Sequence, residues 1–176
     1  MHYQTALAVY SILLAGLGSI PATAQAQELP SEGQFSVTYV FVNPHPTKAV
    51  AVSQDRETAN NNIATAVNDA GSGLMHNMAG RCLSINTVDK KAKTVEIQGN
   101  CTYYDRDGDL VFEGFATPSP QSLGGAVKVS GRWLGGTGKY TGLTGEFDIT
   151  NSGNLSTESS YTQSVGKKTG SYKISK

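Results

Sequence analysis

A lysine set among glycines is a familiar signature of a phosphate cradle, and Trp133–Phe147 reads WLGGTGKYTGLTGEF. A P-loop requires G-x-x-x-x-G-K-[ST] between a strand and a helix, so that backbone N–H groups and the helix terminus meet the phosphates. With Gly138 and Lys139 as the G-K pair, Trp133 stands where the first glycine belongs and Tyr140 where Ser or Thr belongs. A dinucleotide fingerprint requires G-x-G-x-x-G opening a helix. Gly136, Gly138 and Gly142 are spaced G-x-G-x-x-x-G, and a strand pattern follows them. The run is therefore expected to turn the chain between two strands, with glycines at positive φ.

The acidic run Asp105-Arg106-Asp107-Gly108-Asp109 invites a calcium reading. Placing Gly108 at the sixth position of an EF-hand loop puts Tyr103 at the first and Gly114 at the twelfth, neither of them a ligand. Asp-Gly between Tyr104 and Leu110 reads instead as a turn. The three histidines, His2, His45 and His76, have no zinc-ligand spacing, and no metal or cofactor site is expected. Ser-His-Asp catalysis would need a G-x-S-x-G elbow, which is absent. Acid–base candidates reduce to Glu113 and Glu146, mid-strand among apolar neighbours, and His76. A carboxylate turned into a core would have a raised pKa, but the outward, solvated position is the expectation for both. Tyr39, Phe41, Tyr103, Phe112, Trp133 and Tyr140 fall on strands or strand ends and are the candidate ligand contacts, or simply the core.

The elements that must position these residues are short strands. QFSVTYVFV, Gln34–Val42, places Phe35, Val37, Tyr39 and Phe41 on one face. Further strands are expected at Lys48–Ser53, Leu110–Ala116, Ala126–Leu134, Leu143–Thr150 and Gly170–Ser175, with Glu57–Asp69 read as strand over Ile63–Val67 in preference to helix. Asn151–Gln163, NSGNLSTESSYTQ, reads as a long connection or flap. Between Cys82 and Cys101 two β-type runs flank the polar turn Asp89–Lys93. With Lys91-Ala92 at the tip, Cys82 faces Cys101, Ser84 faces Gly99, Asn86 faces Ile97 and Val88 faces Val95. Residues directly opposite in an antiparallel pair can bridge, so a disulfide is expected. Eight or nine short strands at this spacing predict an all-β domain, a single antiparallel barrel of about eight strands.

Bulk properties restrict the functional classes. The formal net charge is zero, with 14 basic and 14 acidic residues, so neither nucleic acid nor a solvating acidic tail is indicated. Residues 1–26 carry no Lys, Arg, Asp or Glu, and the apolar run ends Ala24-Gln25-Ala26. This predicts a cleaved signal peptide, a barrel domain over 27–176, a periplasmic or secreted location and no membrane span after cleavage.

Gly135–Phe147, GGTGKYTGLTGEF, resembles the GGTG-[KR]-[FY] hairpin of the allene oxide cyclase and dirigent families. The chain is also similar to a group of small exported bacterial proteins with an HN-x-x-x-RC segment, a second Cys followed by D-x-DGD, and a GKKTG-S-Y terminus. These stand here at His76–Cys82, at Cys101 with Asp105–Asp109, and at Gly166–Tyr172. The first resemblance implies a calycin-type barrel of eight strands, and as an activity a cofactor-free isomerase or cyclase; no catalytic residue is carried over. Three readings stand side by side: a barrel binding a small apolar or aromatic ligand, an isomerase or cyclase of that type, and a structural or partner-binding envelope protein, homo-oligomeric or not. An apolar cavity in the barrel would favour the first, a cavity holding Glu113, Glu146 or His76 the second, and a filled interior the third.

Overall fold

The protein's structure, a computed structural model, describes residues 29–44, 50–59, 62–158 and 161–175. The expected signal segment and His45 lie outside them. The strands are β1 (Glu32–Asn43), β2 (Val50–Ala51), β3 (Arg56–Ala59), β4 (Asn62–Asn68), β5 (Met78–Asp89), β6 (Thr94–Tyr104), β7 (Leu110–Ala116), β8 (Gln121–Ser122), β9 (Val127–Gly136), β10 (Leu143–Thr144), β11 (Glu146–Glu158) and β12 (Tyr161–Ile174). Eight of them close a ring in the order β1-β12-β11-β9-β7-β6-β5-β4 and back to β1, every neighbour antiparallel. The closed antiparallel barrel predicted from strand spacing is therefore the observed fold, with β2, β3, β8 and β10 as short additions.

Period-two alternation decides what faces the lumen. On β1 it buries Phe35, Val37 and Tyr39; on β4, Ala64, Ala66 and Asn68; on β12, Lys168, Tyr172 and Ile174. All of these except the polar Asn68 and Lys168 form one continuous core with Tyr103, Val111, Trp133, Phe147 and Ile149. A barrel of this size has little room for rings, and the register shows how they are accommodated. Phe35 sits opposite Gly170, Tyr39 opposite Gly166, Tyr103 opposite Gly80, and Tyr172 opposite Gly33. Across the sheet runs a row Gly99, Phe115, Gly131, Phe147, Gly170, Phe35, in which glycine and phenylalanine alternate strand by strand. A Cβ on Gly131 would lie 2.2 Å from the Phe147 ring, and one on Gly80 would lie 2.6 Å from that of Tyr103. The glycines are the space that the rings fill, an arrangement that also lets the sheet bend sharply enough to close.

The hairpin β5–β6 has the register expected from sequence, including Cys82 opposite Cys101. The disulfide joins them at a Cα–Cα distance of 4.1 Å, with both residues facing the core. Closing a loop of this length stabilises a fold by about 3 kcal/mol.

Three elements differ from expectation. The segment Lys48–Ser53 contributes only the two-residue β2 among described residues. The strand expected from Gly170 begins at Tyr161. The polar stretch 151–163, expected as a connection or flap, lies almost wholly within β11 and β12, whose pairing continues to Glu158↔Tyr161 through two register shifts. Serines, threonines and asparagines there offer no apolar alternation, so periodicity could not mark them as strand. Backbone pairing suffices because β1 also follows β12 out to Asn43↔Thr162.

Candidate functional site

Glu113 lies inside the barrel, contrary to the outward position expected for it. Alternation from Val111 fixes its direction on β7, and its side chain has no solvent exposure. Its Oε2 receives a hydrogen bond from the ammonium of Lys168 on β12, equally unexposed. The Lys168 Nζ sits 4.9 Å from the Tyr103 ring centroid, 5.5 Å from that of Trp133 and 4.8 Å from that of Phe147. Such faces attract a cation through the ring quadrupole. The Met75 Sδ lies 3.8 Å from the same nitrogen. Glycines 166 and 170, two residues either side of Lys168, leave room for Tyr39 and Phe147 respectively.

Burial dominates the titration of this cluster. It raises the Glu113 carboxyl above its ordinary range, against the opposing pull of Lys168. It lowers the Lys168 ammonium, against the opposing pull of Glu113. Burial first, then the Glu113 charge, raise the phenols of Tyr103 and Tyr39. Three polar atoms of the cluster have no hydrogen-bond partner: Glu113 Oε1, the Tyr103 hydroxyl and Trp133 Nε1. The Tyr39 hydroxyl, further along the lumen, is bonded to Asn151 Oδ1.

The two glycine- and aspartate-rich motifs turn out to satisfy each other. Lys139 projects its ammonium onto Asp105 Oδ2 at 2.5 Å and Asp107 Oδ2 at 2.7 Å, while its backbone N–H donates to Asp109 Oδ2 at 3.1 Å. Asp105 Oδ1 also accepts from the backbone N–H groups of Asp107 and Asp109, at 2.8 and 3.0 Å. The lysine that suggested phosphate occupies the place where the aspartates suggested a cation. Partial burial works against the charge on Lys139, but the hydrogen bonds it donates to Asp105 and Asp107 hold it above the ordinary lysine range. The glycine run is a connection between the neighbouring strands β9 and β11, with a 3₁₀ turn at Gly138–Tyr140 and positive φ at Gly135, Gly138, Gly142 and Gly145. At Gly138, φ is +51° and a Cβ would meet Asp109 Oδ1 at 1.9 Å, so only glycine lets the two loops interlock.

A groove of about 1060 Å³ crosses the outer side of the Gly–Phe row. Leu83, Ile85 and Leu134 supply apolar surface there, with Leu83 72% and Leu134 49% exposed. Arg132, Glu146, Asp148 and Gln34 supply polar groups along the same groove.

Of the residues singled out from sequence, Glu146 alone lines this groove. Tyr39, Tyr103, Trp133 and Tyr140 are buried in the core; Phe41 is half-buried and stacks on Tyr39 at 4.6 Å between centroids; Phe112 is half-buried on the outer side of β7. Tyr103 and Trp133 meet at Lys168, while His76 lies in the turn before β5, its Nε2 2.9 Å from Asn77 Nδ2. Lys168 itself was not foreseen. Counting back in twos from Ile174 and Tyr172 reaches it, but that signal depends on extending β12 back past Gly170. Among described residues no group of His, Cys, Asp and Glu is placed to hold a metal ion, and no helix is long and apolar enough to cross a membrane. Comparison with known protein families, curated proteins and solved structures finds no match for this chain.

Proposed function

We propose that the chain is an exported binding protein that works through the outer face of its barrel, holding a small amphipathic molecule in the groove beside Leu83 and Leu134. The observation that carries this reading is the groove itself: large apolar side chains left exposed beside Arg132 and Asp148 in a concave surface. Exposed apolar surface rimmed by polar groups is the usual character of a ligand site. The interior rings, by contrast, are in contact with one another and with Lys168. Export is supported by the uncharged N-terminal run ending in Ala24-Gln25-Ala26 and by the disulfide.

Native mass spectrometry of the protein purified from its own host without reductant tests the reading. The wild type should carry an added mass that is released on denaturation. Leu83→Asp and Leu134→Asp, both on the surface, should remove it while leaving the far-ultraviolet circular dichroism of the barrel intact. A bare wild-type protein, or an added mass that survives both substitutions, would overturn the proposal.

A further inference from the structure

Glu113 and Lys168 belong to β7 and β12, which are separated in the barrel wall by β9 and β11. Their side chains meet in the lumen, hydrogen-bonded and wholly enclosed. We propose that they are joined in the folded protein by an amide bond between Lys168 Nζ and Glu113 Cδ, formed with loss of one water.

Amide formation requires an uncharged amine as nucleophile and an uncharged carboxyl as acceptor, the reverse of what both groups are in water. The lumen favours these forms: burial disfavours the charge on each, and three rings surround the amine in place of solvent. Holding the two reacting groups together in a folded core replaces a bimolecular encounter, and well-oriented groups of this kind reach effective molarities of about 10⁵–10⁸ M. The step balances without an oxidant or co-reactant. The Nζ lone pair forms the C–N bond and the carbonyl electrons move to oxygen. As the carbonyl reforms, the C–O bond to the hydroxyl breaks, and that oxygen leaves with a proton from Nζ as water. Glu113 is held through Oε2 alone, so Oε1 is free to leave. The Tyr103 hydroxyl, which adjoins this carboxyl on a ring whose centroid is 4.9 Å from Nζ, is placed to carry the proton between nitrogen and the departing oxygen. The amide product cannot ionise, so neither residue can again place a charge in the dry core.

The test is intact-mass and peptide analysis of the full exported protein, denatured without reductant. The chain should be lighter by one water than the mass calculated for its residues with the Cys82–Cys101 disulfide in place. Trypsin should fail to cut after Lys168 and should yield a branched peptide joining Asp107–Lys128 to Lys168–Lys173. Lys168→Arg, which keeps the charge but not the amine nucleophile, should show the full mass. A wild-type protein of full mass that is cut after Lys168 would overturn the proposal and leave a non-covalent pair. This outcome is independent of whether the outer groove binds anything.

Discussion

Glu113→Leu removes one member of the enclosed pair and leaves the Lys168 amine among Tyr103, Trp133 and Phe147 without its partner. Loss of one partner from a buried pair costs about 3–5 kcal/mol, and urea denaturation of this variant should show a loss of that order. Adding Lys168→Met should recover the part due to the stranded polar amine. The surface carries a milder device. Asp69 accepts hydrogen bonds from Lys167 at 2.5 Å, Ser36 at 2.5 Å and Thr38 at 2.7 Å, tying the turn after β4 to β1 and β12. These bonds, that of Lys167 foremost, hold the Asp69 carboxyl well below the ordinary range. A folded-state pKa below the unfolded one means stability that is present above the unfolded value, about 4, and lost as the pH falls through the folded one. Wild-type stability should therefore fall on acidification below about pH 4 more steeply than that of Asp69→Asn. Equal slopes in acid denaturation of the two proteins would refute this role.

At the level of elements, the Gly–Phe row is the feature on which curvature rests. Gly131 pairs with Phe147 on one side and Phe115 on the other. Gly131→Val would place methyl groups inside the volume of the Phe147 ring. Overpacking of a well-filled core costs about 1–3 kcal/mol, and here the displaced ring also covers Lys168, so the upper end is expected in thermal unfolding. The β9–β11 connection illustrates a different economy. Lys139 bridges Asp105 and Asp107 of the β6–β7 turn, so the lysine that suggested phosphate is already engaged within the protein. Much of this level was legible in the sequence. The alternation of β1 and the register of β5 with β6 follow from local pattern and turn length, and the disulfide follows from that register. The extent of β12 was not legible, because Gly166, Lys168 and Gly170 break the apolar alternation at the points where the lumen demands space and charge.

For the molecule as a whole, the last strand has a structural role out of proportion to its position. β12 pairs with β1 along its full length and with β11, closing the ring between the first and last strands. Ending the chain at Ser164 would remove Lys168, Tyr172 and Ile174 from the core and open two unpaired edges. Such a protein should fail to fold, seen as loss of the cooperative thermal transition and a disordered size-exclusion profile; a folded monomer would contradict the closure argued here.

By itself, the sequence determined what is local: strands from period-two alternation, turns from glycine and aspartate, a bridged hairpin from the positions of Cys82 and Cys101, and from these an all-β barrel. Only the tertiary structure decided which side chains meet. Glu113 and Lys168 are 55 residues apart, and Lys139 and Asp107 are 32 apart. Alternation tells whether a residue faces in or out. Which residue faces it across the lumen depends on the order in which strands close and on their stagger, and those are settled by the packing of all eight strands together.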